Sequence, residues 1–135
     1  MRVVGISGER LVFNLLKNKY GYSNVCWESR YAKEVGENVE GTDFNHYDIR
    51  YRNPKGDWVF VEVKTTKTDA TDFELTKAEY EFGLENKGNY EIFHVRNIED
   101  DEPTYRVFRL FEDDFQNSSE FSVIPNGYII KYEEL

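Results

Sequence analysis

From position 58 to 65 the chain reads Trp-Val-Phe-Val-Glu-Val-Lys-Thr, and that alternation leaves little choice of secondary structure. β-Branched residues at every second position fit a pleated, half-buried surface, and successive side chains of a strand point to opposite faces. Val59, Val61 and Val63 should fill one face, while Glu62 and Lys64 project together from the other, about 6.6 Å apart. Just upstream, His46–Arg52 reads as a second strand, and Asn53-Pro54-Lys55-Gly56 supplies the turn chemistry that closes the two into a hairpin. Asp48 on that upstream strand thus lies one hairpin away from an acid and a lysine on a sheet that should be packed.

Such a set suits a metal-dependent phosphodiesterase. Cutting a phosphodiester needs a cation that neutralises transition-state charge and lowers the pKa of an attacking water. Mg²⁺ (or Mn²⁺) takes a few carboxylate oxygens and keeps several waters. Asp48 and Glu62 would serve as ligands, with the Val63 carbonyl as a third. Lys64 would orient or deprotonate the water, or stabilise the developing negative charge. The plain alternative is a cross-strand charge pattern on the wet face of an ordinary antiparallel sheet, which contributes little. Asp48 in its Tyr-Asp-Ile context favours a site.

Along the chain the order is helix, strands, helix, strands. Val12, Phe13 and Leu16 stand at i+3, i+4 and i+7 from Glu9, which predicts a helix from about Gly8 to Tyr20 with Glu9 in its first turn. There Glu9 either reaches the open end of the sheet or complements the positive helix N-terminus. Tyr22–Ser29 reads as a strand and Glu34–Asp43 as a loop near the site. Thr76 with Glu79 three residues on is a capping box for a helix to about Asn86, stopped by Gly88. Tyr90–Val95 alternates as a half-covered strand, Ile98–Pro103 is an acidic solvated turn, and Thr104–Leu110 is another strand. Gly127 marks a turn before an edge strand at Tyr128–Tyr132. Trp58 shares the face of Glu62 and Lys64 and should wall the site.

These residues resemble the PD-(D/E)XK nuclease superfamily and, within it, the family named after the C-terminal domain of the plant NO VEIN protein. The matching segments are Gly5-Ile6-Ser7-Gly8-Glu9, Tyr47-Asp48-Ile49, Val61-Glu62-Val63-Lys64-Thr65-Thr66, Leu75-Thr76-Lys77-Ala78-Glu79 and Tyr90-Glu91-Ile92-Phe93-His94-Val95. They run in order from about residue 5 to about residue 110. His46 departs from the pattern, which more often has glycine or another small residue there. The resemblance implies an α/β fold of restriction-endonuclease-like architecture, a central mixed sheet flanked by helices. It also implies that Glu9 assists Asp48, Glu62 and Lys64 at the metal through water. Thr76 and Glu79 are read as a helix cap only, outside the catalytic set. Thr65, Thr66 and Lys67, leaving the strand after the lysine, are the candidates for touching phosphate.

At 135 residues the chain is read as one domain, 1–135, burying roughly two thirds of its unfolded surface. No apolar run approaches a membrane span and nothing at the N-terminus has the form of a signal peptide. A lone cysteine, Cys26, excludes an internal disulfide and suits a reducing cytoplasm, and one cysteine with two histidines offers no zinc site. The net charge of −9 is uneven. Residues 1–70 carry eleven Lys/Arg against ten Asp/Glu, and residues 71–135 carry six against sixteen. The half with the proposed site can follow a phosphate backbone, weakly and in a salt-sensitive way. The expected function is Mg²⁺-dependent hydrolysis of nucleic acid, DNA before RNA, in defence or DNA processing, with a homodimer mate or larger protein partner supplying further contacts. The competing class is an inactive nuclease-fold module that binds nucleic acid or protein.

Overall fold

A computed structural model describes residues 2–112, 121–125 and 130–133. Helix α1 (Arg2–Tyr20) is followed by strand β1 (Val25–Trp27), a short helix α2 (Arg30–Glu34), strands β2 (Ile49–Arg52) and β3 (Trp58–Thr65), helix α3 (Lys77–Glu85), and strands β4 (Tyr90–Arg96) and β5 (Thr104–Phe108). The strands form one sheet in the order β1-β2-β3-β4-β5. β3 and β4 are parallel and the other pairs antiparallel. The α/β class with a mixed sheet flanked by helices is as expected, and it is compatible with a restriction-endonuclease-like fold. No helix among the described residues is long and apolar enough to cross a membrane.

The hairpin follows from its residues. Asn53 Oδ1 accepts the amides of Lys55 and Asp57, both at 3.0 Å, and Gly56 takes φ 87°, where a side chain would be strained. Ile49 then faces Val61 and Tyr51 faces Val59 across the ladder. Valines 59, 61 and 63 pack on Val12, Phe13 and Leu16 of α1, as the alternation requires. The opposite face holds a second core, Tyr90, Ile92, Leu110 and Phe111, covered by Phe60, Phe73, Tyr80 and Phe82 among others. The parallel β3–β4 pair needs a crossover, and α3 supplies it. Its capping box is formed as read: Thr76 Oγ1 accepts the Glu79 amide at 3.1 Å and Glu79 Oε1 accepts the Thr76 amide at 2.9 Å.

Several boundaries differ from expectation. The first helix begins at Arg2, six residues early, so Glu9 lies in its interior and the N-terminal dipole does not explain it. Gly5 and Gly8 belong to that helix as points of close approach. A Cβ on Gly8 would collide with the Thr65 side chain, and one on Gly5 would meet the ring of Tyr31 at 2.8 Å. The strand expected at Tyr22–Ser29 shrinks to Val25–Trp27, because Tyr22–Asn24 forms a 3₁₀ turn and Ser29 caps α2 by accepting the Tyr31 amide. β4 is buried from Tyr90 to Val95 on both faces, not half-covered. Its acid, Glu91, is satisfied by the Tyr51 hydroxyl at 2.6 Å and by Arg109 at 2.9 Å. β5 ends at Phe108. The edge strand expected at Tyr128–Tyr132 lies partly outside the described residues, and residues 130–132, which are described, form no strand.

Candidate active site

One open cleft of about 500 Å³ gathers side chains from α1, α2, the turn before β2, the end of β3 and the start of α3. Glu9, Asp48, Glu62, Val63, Lys64 and Thr65 all line it. Asp48 stands just before β2, but its backbone still bridges both neighbouring strands. Its amide donates to the Val61 carbonyl, and its carbonyl accepts the Glu28 amide, each at 2.8 Å. The same residue's Oδ2 accepts the Val63 amide at 2.8 Å, which fixes the carboxylate against β3. Glu62, 6% exposed, projects from the strand face opposite the valines. Lys64 Nζ lies 3.5 Å from Glu62 Oε1 and 2.9 Å from Glu79 Oε1. Glu9, 5% exposed, enters from α1 with Oε1 accepting the Trp27 indole N–H at 2.9 Å and the Ser29 hydroxyl at 2.5 Å.

Acid outweighs base in this cleft. Burial, and then the charge of Glu9, push Asp48 well above the usual carboxylate range. Burial and the neighbouring Asp48 do the same to Glu62. Glu9 is pushed up to about 7, mainly by burial and against the help of Ser29 and Trp27. Glu79 goes the other way. Burial would raise it, but hydrogen bonds from Glu62, the Thr76 amide and Lys64 outweigh that and bring it down to about 2. Burial works against the Lys64 ammonium, yet Glu62 and Glu79 reverse that and raise it.

Acids crowded together with raised pKa values form a set short of positive charge, which a hard divalent cation could complement. Among the described residues no group of three or more His, Cys, Asp or Glu side chains is placed to hold a metal ion. Mg²⁺ needs only one or two carboxylates and keeps much of its water, and Asp48 and Glu62 could supply those.

The other expectations divide. Thr65 faces the cleft and takes the close approach of Gly8. Thr66 and Lys67 do not line it. The Thr66 hydroxyl donates to the Thr68 carbonyl at 3.2 Å, and Lys67 pairs with Glu99 at 3.3 Å on the surface. Trp58 is at the far end of β3, with the guanidinium groups of Arg50 and Arg52 4.2 and 4.6 Å from its ring centroid, and walls nothing here. Glu79, expected only as a helix cap, also lines the cleft and pairs with Lys64. Its cap role hid a second one, although a crossover helix has to start near the end of the strand it follows, where Lys64 stands. His46 also lines the cleft, in the left-handed region at φ 58°. That conformation favours glycine and accounts for the small residue expected there.

A family model described as "Protein NO VEIN, C-terminal" matches residues 8–110. No curated protein and no solved structure matched the chain.

Proposed function

Because this chain belongs to the NO VEIN C-terminal family, we propose that it is a divalent-metal-dependent nuclease of the PD-(D/E)XK type, hydrolysing phosphodiester bonds in nucleic acid, DNA before RNA. The observation that carries the proposal is the convergence of Asp48, Glu62 and Lys64 in one cleft, with Glu62 buried, Asp48 half-buried and both acids held above the usual carboxylate range. Asp48 and Glu62, with the Val63 carbonyl, would hold Mg²⁺ or Mn²⁺. The bound cation would supply charge neutralisation and a more acidic water.

The remaining steps belong to the chain. Glu79 holds the Lys64 ammonium at 2.9 Å and keeps it charged. Lys64 therefore acts as a donor that orients the attacking water and stabilises charge on the phosphoryl oxygens, rather than as a base. Glu9, fixed by Trp27 and Ser29, steadies a water at the α1 side of the cleft. The proposed setting is the cytoplasm, in defence or DNA processing, with a dimer mate or larger protein partner adding contacts.

Purified protein with Mg²⁺ or Mn²⁺ should nick plasmid or degrade single strands. Chelator, Asp48→Ala and Lys64→Ala should each abolish the activity while circular dichroism stays unchanged. Cutting that survives Asp48→Ala would overturn the assignment. Nucleic acid shifted in a gel without being cut would instead mark a binding module.

A further inference from the structure

The turn that carries Asp43 and His46 into the cleft also carries Phe44, whose side chain is 89% exposed. Isolated exposed apolar residues are ordinary, and Val39 and Tyr22 are others in this chain. Phe44 differs in standing between two residues that line the cleft, Asp43 and His46, on a turn whose backbone is held. The 3₁₀ turn Asp43–Asn45 opens at Thr42, whose hydroxyl accepts the Phe44 amide at 3.3 Å. The Glu28 carbonyl accepts the Thr42 amide at 2.9 Å and the Asn45 side-chain amide at 3.3 Å. Asp43 accepts the Arg30 amide at 3.3 Å and pairs with its guanidinium at 3.4 Å. The residues on both sides of the ring are thus tied to Glu28 and to Arg30 at the start of α2, and the ring itself is left exposed.

We propose that Phe44, on the turn whose residues Asp43 and His46 line the cleft, is a base-stacking platform on which an unpaired nucleobase of the strand being cut lies. This deepens the nuclease proposal, on which it rests, and assigns single-stranded or locally opened nucleic acid as the substrate class. A paired base in a duplex offers no free face to such a ring, whereas an unpaired base does. A ring presented by a fixed turn also loses little freedom on stacking.

The test uses fluorescence anisotropy with labelled oligothymidine and, separately, a labelled blunt duplex, in chelator so that no cutting occurs. The chain, Phe44→Ala and Phe44→Trp are compared; an exposed side chain leaves folding intact, checked by thermal unfolding. Phe44→Ala should bind the single strand roughly 5- to 100-fold more weakly, the loss of one stacked base. Phe44→Trp should bind at least as tightly, with its tryptophan emission quenched on binding, and duplex affinity should be the same for all three. Equal single-strand affinity for Phe44→Ala and the unaltered chain overturns the stacking proposal. If Phe44→Ala also keeps Mg²⁺-dependent nicking, the nuclease proposal survives that loss. An unaltered chain that neither binds nor cuts any nucleic acid removes both. A smaller oligomer for Phe44→Ala in sedimentation, with oligonucleotide binding unchanged, assigns the ring to a protein contact and also overturns the proposal.

Discussion

Glu79 joins a helix cap to the chemistry of the cleft, and two substitutions separate those roles. Thr76→Ala removes the hydroxyl that accepts the Glu79 amide and should cost about 1 kcal/mol in denaturant unfolding, with Lys64 still paired. Glu79→Ala should also strip Lys64 of its 2.9 Å partner. Only Glu62 and Asp48 then oppose burial, and an NMR titration of the Lys64 side chain should show its pKa fall. A titration unchanged by Glu79→Ala would remove the pairing from the account. Glu9 makes a pH prediction whose sign is fixed. Its folded value, about 7, lies above its ordinary 4.5. The folded state holds the proton more tightly, so the associated stability is full below pH 4.5 and is lost as pH rises through 7. His94, lowered chiefly by burial, contributes in the opposite direction, since the unfolded chain takes up its proton as pH falls through 6.5. Glu9→Gln isolates the first effect. Melting temperature against pH should decline less between 4.5 and 7 in this variant than in the parent. Under the metal proposal, Mg²⁺ should raise the parent's melting temperature more at pH 8 than at pH 5, and an equal rise at both would count against cation binding by these acids.

The placement of α1 on β3 depends on Gly8. Alanine there gains about 1 kcal/mol of helix propensity, but its Cβ would strike the short, branched side chain of Thr65, and overpacking of this kind costs about 1–3 kcal/mol. Gly8→Ala should therefore be destabilising or at best neutral in urea unfolding. Gly5→Ala meets the ring of Tyr31, which is half-buried and can swing away, so that variant should be the more stable of the two. The reverse ranking would show that α1 does not sit as described. The same contacts explain what the sequence could and could not reveal. The β2–β3 hairpin and the α3 cap were legible because local chemistry sets them: Asn53 and Gly56 in one, Thr76 and Glu79 in the other. The start of α1 was not, because glycines at 5 and 8 look like a loop until a partner element explains their missing side chains. β4 misled for a related reason. Glu91 and His94 gave it the rhythm of a half-wet strand, and only tertiary partners, Tyr51 and Arg109 for Glu91 and the Phe73 ring beside His94, let both be buried. Asp48, Glu62 and Lys64 could be read from spacing alone, whereas Glu79 depends on a crossover that spacing does not display.

The charge of the whole chain bears on how it would hold a polyanion. With +1 in residues 1–70 and −10 in residues 71–135, any nucleic-acid binding must come from few cations, several already committed. Arg30 pairs with Asp43, Lys64 with Glu79 and Lys67 with Glu99, while Arg50 pairs with Glu28. Binding should be weak and should fall with added salt along a shallow log–log slope, set by the small number of phosphates contacted. A steep slope would point to a cationic surface not visible here, contributed by a second subunit. The sheet order has one more consequence, for the order of folding. Asp48 and Glu62 meet through a tight local turn that closes in microseconds, while Glu9 and Glu79 reach them only after α1 has docked and the parallel β3–β4 ladder has formed across α3. A chain emerging from the ribosome would thus carry a nascent acid pair well before it carries the complete cleft, and the proposed hydrolytic capacity would switch on late, with the last long-range pairing.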